Sequence, residues 1–259
     1  MYHFAAPAVK YMIENRNTIV VIPARMASTR LPGKPLADIH GLPMIVHCWK
    51  RAVEANIGQV LVAAAEVEIA DAIKAQGGDA IVTNPALPSG SDRIAEALSL
   101  RDPGRRFSFV VNLQGDLPTI DTLSIRRCLA GLTNDTADVS TIAARIESDE
   151  DVANPNIVKA IAPLGEEREV AFARDFVRKT GPEHAAPFWH HIGVYAYRRP
   201  ILEKFVSLPV SAREAERKLE QMRALDNGMR IVVVRVDTVP LGVDTPHELE
   251  TARRMLRKA

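Results

Sequence analysis

Short apolar runs alternate with segments in which apolar residues recur at helical spacing along the first half of the chain. The apolar runs at residues 18–23, 59–64, 80–83 and 107–113 predict buried strands. The helical spacing predicts helices from Pro43 to about Asn56, around Ile69 to Ile73 with a stop at Gly77, and over residues 92–100. Strands joined by such helices form βαβ crossovers. We therefore predict an α/β fold with a mainly parallel, Rossmann-like sheet covered by helices on both faces.

The middle third of the chain contains β-like runs with little helix between them. They lie at residues 139–146, 157–161, 170–174 and 188–198. We predict an antiparallel excursion over about residues 137–200, which serves either as a lid over a ligand or as a subunit interface. After it the pattern predicts one helix over about residues 213–226, a strand over 231–236, and a last helix opened by Thr245, Pro246 and the capping-box residue Glu248.

The chain is expected to form one domain with a short extension. Residues 1–17 contain no apolar run long enough for a signal peptide or a membrane span, and we expect a flexible or loosely docked segment there. Residues 18–259 then form a single domain. No other stretch approaches the roughly twenty apolar residues that a span requires, so we expect a cytoplasmic protein with no membrane insertion.

Composition and charge limit the partners. Of the 259 residues, 47% are hydrophobic and 25% are charged, which is typical of a globular protein. The formal net charge of +1 provides no basic excess for nucleic acid or a membrane surface, so a polyanionic ligand should be small. Cys48 and Cys128 have no Cys-x-x-Cys spacing and predict reduced thiols rather than a zinc site or a disulfide framework.

A cationic loop follows the first predicted strand. Arg25, Arg30 and Lys34, with the hydroxyls of Ser28 and Thr29, lie close to the carboxyl end of that strand, where α/β sheets bind ligands. Guanidinium and ammonium groups form charge-assisted hydrogen bonds to phosphate, so the loop fits a polyphosphate; the alternative is a solvated surface loop. A dinucleotide fingerprint is excluded because the chain has no Gly-x-Gly. A Walker loop is excluded because the proline after Lys34 favours an extended conformation there.

Two aspartates are predicted at the same edge of the sheet. Asp116 follows the apolar run at residues 107–113, and Asp244 comes just before the last helix. Two carboxylates opposite a phosphate loop suit Mg²⁺, which takes one or two protein carboxylates and completes its octahedron with phosphate and water. The alternative is that both residues cap turns.

Strand alternation sorts the side chains of residues 188–198. His191, Gly193, Tyr195 and Tyr197 share one face, whereas His190 lies on the other face with apolar residues. An imidazole and two phenols around a glycine suit the hydroxyl and carboxylate groups of a sugar acid. The alternative is that His191 is a structural histidine.

Several motifs carry a resemblance to a known family. The run Pro-Ala-Arg-x-x-Ser-Thr-Arg-Leu-Pro-Gly-Lys-Pro at residues 23–35 resembles the nucleotide-binding loop of the CMP-sugar synthetases, specifically of the 3-deoxy-manno-octulosonate cytidylyltransferase family. Gln-Gly-Asp at 114–116 and Gly-Val-Asp-Thr-Pro at 242–246 resemble its metal-binding motifs, and Leu-Glu-Gln-Met-Arg at 219–223 resembles its sugar-binding helix. The resemblance extends from about residue 19 to residue 256.

The resemblance implies an activity. It implies a fold of the nucleotide-diphospho-sugar transferase type, Mg²⁺ as cofactor, a homodimer, and CTP and 3-deoxy-D-manno-octulosonate (KDO) as substrates. The products would be CMP-KDO and pyrophosphate, for lipopolysaccharide biosynthesis. No serine or cysteine with an evident base partner is indicated, so we expect direct in-line attack of the sugar anomeric hydroxyl on the α-phosphate, with Asp116 as a candidate proton acceptor.

The resemblance also implies roles for individual residues. It assigns the nucleotide to Ala24, Arg25, Ser28, Thr29, Arg30, Lys34, Ser89 and Arg93, and the metal to Asp116 and Asp244. It assigns the sugar to Gln114, Arg174, His191, Tyr195, Glu220 and Gln221. The catalytic set is Arg25, Lys34, Asp116 and Asp244. His190 stands where many relatives have arginine, and it receives no role.

Departures from the family pattern leave these motifs intact. Ala65, Leu117 and Arg213 stand where relatives often have aspartate, glutamate and leucine. The alternatives are a cytidylyltransferase for sialic acid or for an amino analogue of KDO, and a non-catalytic nucleotide-binding regulator. Sugar-1-phosphate nucleotidyltransferases usually begin with a Gly-x-Gly-Thr-Arg loop, which is absent here.

Overall fold

The structure is a computed structural model that describes residues 13–257. Its strands are β1 (Thr18–Ala24), β2 (Asp38–Ile39), β3 (Leu42–Pro43), β4 (Gln59–Ala64), β5 (Asp79–Val82), β6 (Phe109–Asn112), β7 (Val139–Arg145), β8 (Lys159–Ile161), β9 (Val170–Phe172), β10 (Asp175–Val177), β11 (Trp189–Arg198) and β12 (Ile231–Val236). Its helices are α1 (Met44–Ala55), α2 (Val67–Lys74), α3 (Gly90–Arg101), α4 (Thr122–Ala130), α5 (Asp149–Ala153), α6 (Arg199–Ser207), α7 (Ala212–Arg217), α8 (Gln221–Asp226) and α9 (Pro246–Met255). Of the predicted N-terminal extension, residues 1–12 lie outside the described residues, and Asn15–Asn17 form a 3-10 turn.

One ten-stranded sheet organises the described chain. Its order is β5-β4-β1-β6-β11-β7-β12-β9, and β8 joins the start of β11 and pairs with β10. Neighbouring strands from β5 to β6 are parallel, as are β7 and β12. β11 runs antiparallel between β6 and β7. The predicted fold class, a mainly parallel α/β sheet with a smaller antiparallel part, is therefore confirmed.

The segment predicted as an antiparallel excursion is divided between the sheet and its edge. β7 and β11 are interior strands of the main sheet, whereas β8, β9 and β10 are short strands that pair antiparallel with their neighbours. Because β11 enters next to β6, this segment contributes directly to the ligand-binding edge instead of only covering it.

Helices cover both faces of the sheet. Alternation along β1 directs Val20 and Ile22 to one face and Ile19 and Val21 to the other. Side chains of α1, α2 and α4 pack on the first face, and side chains of α3, α6 and α8 pack on the second. All of β1 is buried, as expected for a parallel strand covered on both sides.

The prediction of a single helix over residues 213–226 is wrong, because the structure has two helices there. Lys218 adopts a left-handed conformation with φ of 55°, which ends α7, and α8 begins only at Gln221. Residues spaced as one helical face therefore differ in burial, because Ala215 and Asp226 are exposed whereas Leu219 is buried. Helices α4, α5 and α6 were not predicted. The bounds of β4 and β12 and the capping box that opens α9 agree with the predictions.

Two sequence expectations about the whole molecule have structural counterparts. Cys48 and Cys128 are free and buried, and burial raises the pKa of both thiols. No helix within residues 13–257 has the length and apolar character needed to cross a membrane.

Candidate active site

A cleft of about 720 Å³ opens at the carboxyl edge of the parallel strands. Residues after β1, after β6 and at the start of α3 line it. The lining includes every residue predicted to contact the nucleotide, namely Ala24, Arg25, Ser28, Thr29, Arg30, Lys34, Ser89 and Arg93. Gln114, Asp116 and Asp244 line the same cleft.

The ammonium of Lys34 lies between the two carboxylates predicted to hold a metal. Its Nζ donates to Asp116 Oδ2 at 2.7 Å and to Asp244 Oδ1 at 2.8 Å. Arg30 Nη2 donates to the second oxygen of Asp244 at 2.7 Å. Burial acts to lower the pKa of Lys34, but the two carboxylates outweigh it and the pKa is raised. Burial also opposes ionisation of Asp244, but its contacts with Lys34 and Arg30 hold its pKa below the usual range.

The two carboxylates fit a Mg²⁺ ion that is shared with a phosphate ligand. Carboxylate oxygens of Asp116 and Asp244 both contact the Lys34 ammonium, so the two side chains point toward the same position in the cleft. No group of three or more His, Cys, Asp or Glu side chains within residues 13–257 is placed to hold a metal. Since Mg²⁺ commonly takes one or two carboxylates together with phosphate oxygens and water, this donor set suits a metal that binds with the substrate.

Gly33 sets the position of Lys34. It has φ of 70°, a left-handed conformation that favours glycine, and it caps the 3-10 turn Lys34–Leu36. The extended conformation predicted for Lys34 is therefore wrong. Pro35 fits the second position of this turn because the backbone N–H at that position makes no hydrogen bond within the turn. The turn is closed by Leu36 N, which donates to Gly33 O at 2.9 Å.

The start of α3 supplies a preset guanidinium. Ser89 caps α3 by accepting a hydrogen bond from Asp92 N at 3.2 Å. Arg93 is buried and its Nη1 donates to Thr83 Oγ1 at 2.6 Å and to Asn84 O at 3.1 Å. Burial lowers the pKa of Arg93, but a guanidinium still carries its charge at neutral pH. This cation is ordered before a ligand binds.

β11 extends the site along the edge of the sheet. Tyr195 pairs with Asn112, the last residue of β6, so His191 and Gly193 lie beyond the end of that strand. A Cβ at Gly193 would lie 3.9 Å from Gln114 Cγ, and Gln114 lines the cleft. The predicted sugar-facing strand therefore adjoins the predicted nucleotide cleft.

The rings on β11 follow each other along one face. The centroids of His191 and Tyr195 are 5.5 Å apart, and those of Tyr195 and Tyr197 are 6.0 Å apart. Ile192 and Val194 pack into the core on the opposite face. The predicted alternation is therefore present in the structure. Burial lowers the pKa of His191 to about 3, so its imidazole is neutral at pH 7.

Glu220 lies close to this aromatic face, and Gln221 follows it as the first residue of α8. Burial and the nearby Glu220 carboxylate raise the pKa of Tyr195 and of Tyr197. Ser91 Oγ donates to Glu220 Oε2 at 3.0 Å, and burial raises the pKa of Glu220. Glu220 Oε1 and Gln221 Nε2 are buried and have no hydrogen-bond partner in the described part of the chain. Buried polar atoms without a hydrogen bond are rare, and Glu220 Oε1 also lies 3.9 Å from Arg223 Nη2.

Arg174 lies elsewhere on the surface of the sheet edge. It is exposed, stands between β9 and β10, and is absent from the cleft lining. Its amide donates to Ile161 O at 2.7 Å, and its side chain makes no hydrogen bond or ion pair within residues 13–257. A contact with the sugar carboxylate stays a prediction from the resemblance.

Two residues of this region had no distinguishing signal in the sequence pattern. Ser91 contacts Glu220 across 129 positions, and Thr141 contacts His191 across 50 positions. Ser91 lies between Ser89 and Arg93, which the resemblance assigns to the nucleotide, and Thr141 falls in an ordinary strand run. Only the packing of distant segments reveals their partners.

Comparisons with known proteins agree with this arrangement. A doubly covered parallel sheet with a cationic cleft at its carboxyl edge places the chain among the α/β nucleotidyltransferases. Within that class it belongs to the cytidylyltransferase family, whose sequence profile matches residues 19–231.

Three similar proteins bear the name 3-deoxy-manno-octulosonate cytidylyltransferase. That of Paramagnetospirillum magneticum is 55% identical over 239 residues, which cover 92% of this chain and 97% of the relative. That of Parvibaculum lavamentivorans is 54% identical over 258 residues, covering 100% and 99%. That of Rhodospirillum rubrum is 57% identical over 239 residues, covering 92% and 95%. The family resemblance expected from the motifs is confirmed.

One solved structure supports the same assignment, and a second supports the fold alone. The structure of CMP:2-keto-3-deoxy-manno-octonic acid synthetase complexed with CTP superposes with a TM-score of 0.83 at 36% identity, covering 92% of this chain and 98% of that chain. The 4-diphosphocytidyl-2C-methyl-D-erythritol synthase of Anaerococcus prevotii has a TM-score of 0.61 at 12% identity, covering 93% and 98%, and shares the fold.

Proposed function

We propose that this protein is a Mg²⁺-dependent cytidylyltransferase that converts CTP and KDO to CMP-KDO and pyrophosphate, supplying the activated sugar for lipopolysaccharide assembly. The observation that supports this most is the position of Lys34 Nζ, 2.7 and 2.8 Å from Asp116 and Asp244 inside the cleft. This cluster adjoins a face that carries imidazole, phenol and carboxylate groups. One half of the site suits a triphosphate, and the other half suits a polyhydroxy acid.

The nucleotide half neutralises the charge of the substrate. A triphosphate brings about four negative charges, which repel an oxygen nucleophile until cations surround the phosphate oxygens. Arg25, Arg30 and Lys34 line the cleft on the loop after β1, and Arg93 faces it from α3. Mg²⁺, when held by Asp116 and Asp244, would add positive charge and lower the pKa of a bound hydroxyl.

The sugar half positions the nucleophile. Neutral His191 accepts a hydrogen bond from a sugar hydroxyl, while Glu220 Oε1, which lies 3.9 Å from Arg223 Nη2, supplies an acceptor and Gln221 Nε2 supplies a donor. The anomeric oxygen then attacks the α-phosphorus in line. The bond from that phosphorus to the bridging oxygen breaks and pyrophosphate leaves. Asp116 is the candidate acceptor of the hydroxyl proton.

A substrate panel tests this function. CTP, UTP, ATP and GTP are each combined with KDO, sialic acid and an amino analogue of KDO, and pyrophosphate release is measured with and without Mg²⁺. We expect release only with CTP, KDO and Mg²⁺ together. Pyrophosphate release with sialic acid or the amino analogue, and not with KDO, would show that the sugar substrate is that compound and not KDO. CTP binding without pyrophosphate release in any combination would indicate a nucleotide-binding regulator.

The proposal includes a homodimer that acts in the cytoplasm, where CTP is available. Sedimentation velocity on the purified protein measures its assembly, and we expect the mass of two chains. Fractionation of cells that express the protein measures its location.

A further inference from the structure

We propose that Thr141 is a positioning residue, which fixes the tautomer of His191 with the hydrogen on Nε2 and so leaves Nδ1 as a hydrogen-bond acceptor for the sugar. The consequence for the sugar rests on the proposed function. The hydrogen-bond arrangement itself does not.

An irregularity in β11 creates the contact. Thr141 on β7 pairs with Tyr195, whereas the next paired residue of β11 is Ile192, so Gly193 and Val194 form a bulge between them. Two backbone carbonyls at this bulge lie within hydrogen-bond distance of the Thr141 hydroxyl. Thr141 Oγ1 donates to Val194 O at 2.8 Å and lies 3.3 Å from Ile192 O.

The same hydroxyl contacts the imidazole. Thr141 Oγ1 lies 3.0 Å from His191 Nε2, and Thr141 is completely buried. A threonine hydroxyl has a single hydrogen, which is committed to the carbonyls, so toward His191 it acts as an acceptor. Nε2 must then be the nitrogen that carries the hydrogen, and in a neutral imidazole Nδ1 carries none.

The surroundings keep the ring in this state. Phe176 packs edge-on against the His191 ring with the centroids 4.9 Å apart, and Tyr195 lies on another side. Within residues 13–257 the Nδ1 atom makes no hydrogen bond. Burial holds the pKa of His191 to about 3, so a second proton does not bind near neutral pH.

An Nδ1 atom without hydrogen is an acceptor for a substrate hydroxyl. It accepts a hydrogen bond from that hydroxyl, and the lone pairs of the hydroxyl oxygen stay free for other contacts. The opposite tautomer would present an N–H donor, which competes for those lone pairs. Loss of the Thr141 hydroxyl removes the preference between the two tautomers, although the contacts of the ring with Phe176 and Tyr195 remain.

The first experiment reads the tautomer directly in the substrate-free protein. Histidine is labelled with ¹⁵N, and long-range ¹H–¹⁵N spectra show which ring nitrogen is protonated; the His191→Gln variant assigns the signals. We expect the Nε2–H form in the wild-type protein near neutral pH. A predominant Nδ1–H form or a charged ring would overturn the proposal without any variant of Thr141.

The second experiment uses matched variants. In Thr141→Val the hydroxyl is lost, and we expect a mixture of both tautomers and an increase in KM for KDO of about five- to tenfold, with KM for CTP within about twofold. Thr141→Ser keeps a hydroxyl and should restore the Nε2–H form and most of the affinity for KDO. Ser140→Ala is the control, because Ser140 is a neighbouring buried residue whose hydroxyl has no hydrogen-bond partner within residues 13–257.

Contradictory results are equally defined. An unchanged tautomer in Thr141→Val, or equal increases in KM for both substrates, would show that Thr141 only supports the fold. If Thr141→Val does not fold, Thr141→Ala provides the same comparison. If the protein fails to turn over CTP and KDO, the proposed function falls, while the spectra of the substrate-free protein still decide whether Thr141 orients His191.

Discussion

Lys34 and Asp116 form an ion pair of 2.7 Å inside the cleft, with side chains that are only 16% and 29% exposed. The same ammonium contacts Asp244 at 2.8 Å, so one cation holds two carboxylates that would otherwise repel each other. A metal-bound triphosphate offers these groups new partners of opposite charge. The cleft therefore contains, before substrate binds, both the carboxylates for a metal and the cation for a phosphate.

Replacement of either carboxylate tests the proposed metal role. Asp116→Asn and Asp244→Asn each remove a hard anionic ligand while keeping the side-chain shape, so we expect turnover to fall by about 100-fold or more. Binding of Mn²⁺ in the presence of CTP, measured by electron paramagnetic resonance, should weaken in both variants. Asp237→Asn is the control, because that carboxylate is 68% exposed. Activity within about threefold of wild type would remove the residue from the metal site.

Replacement of the loop cations tests phosphate binding. In Lys34→Met the charge is lost and the stem is retained, and in Arg25→Ala the guanidinium is lost. We expect both variants to bind CTP more weakly and to lose roughly 2–4 kcal/mol of transition-state stabilisation, measured from kcat/KM. Lys74→Met changes an exposed lysine on α2 and should behave like wild type. Unchanged kinetics in Lys34→Met would favour the solvated-surface interpretation of the loop.

The contact between Ser91 and Glu220 predicts a defect that is specific to the sugar. Glu220→Gln keeps the shape but removes the charge, and we expect KM for KDO to rise about tenfold while KM for CTP stays within about twofold. Ser91→Ala removes the hydroxyl that donates to Glu220 Oε2 at 3.0 Å and should have a smaller effect of the same kind. Ser91→Thr keeps that hydroxyl and is the matched control. Equal changes for both substrates would place Glu220 outside the sugar half.

The neighbouring histidines should respond differently to the same substitution. His191→Ala is expected to raise the KDO requirement or lower turnover with CTP affinity nearly intact, because His191 faces the aromatic row. His190→Ala is expected to act on stability by roughly 1–3 kcal/mol, since His190 is partly buried and has no assigned contact with substrate. Sugar kinetics and thermal midpoints measure both effects. A sugar-specific defect in His190→Ala alone would contradict the assignment of faces.

A buried ion pair far from the cleft predicts the dependence of stability on pH. Asp102 is 7% exposed at its side chain and bonds to Arg199, which is 6% exposed. Burial acts to raise the pKa of Asp102, but the amides of Phe107 and Arg106 and the Arg199 guanidinium hold it below the usual range. A lowered pKa in the folded state stabilises the protein above the unfolded pKa, near 4, and this stabilisation is lost as pH falls through the folded value.

Variants of this pair make the prediction measurable. Arg199→Met leaves the Asp102 carboxylate buried without its cation, so we expect a loss of about 3–5 kcal/mol in the free energy of unfolding at pH 7. The difference from wild type should shrink as pH falls toward the lowered pKa of Asp102 in the folded wild-type protein, because only below that value is Asp102 protonated in both folded proteins. Denaturant unfolding from pH 7 to pH 3 measures it, with Arg105→Met as the control at an exposed ion pair. A constant difference over this range would contradict the sign of the pKa shift.

Local patterns in the sequence predicted much of the fold. The apolar runs at β4 and β12 coincide with the strands, and the residues Thr245, Pro246 and Glu248 open α9 as expected. These features depend on interactions among residues a few positions apart, so the pattern contains the information needed to predict them. The same holds for the alternation of His191 and Tyr195 on β11, because successive side chains of a strand point to opposite faces.

Two parts of the fold could not be read in this way. The sequence prediction of one continuous helix missed the break at Lys218 between α7 and α8. Burial of Leu219 and of Gln221 outweighs the local helical preference there. The insertion of β11 between β6 and β7 was also not predicted, since strand order depends on which distant segments pack together.

The sequence by itself determined the cationic loop, the two aspartates and the aromatic face, because each is a local pattern of residue types. Only the tertiary structure decided which groups touch. Lys34 contacts Asp244 across 210 positions, and Thr141 contacts His191 beside a bulge in β11. Such contacts follow from the packing of the whole sheet, and the spacing of residues along the chain contains no record of them.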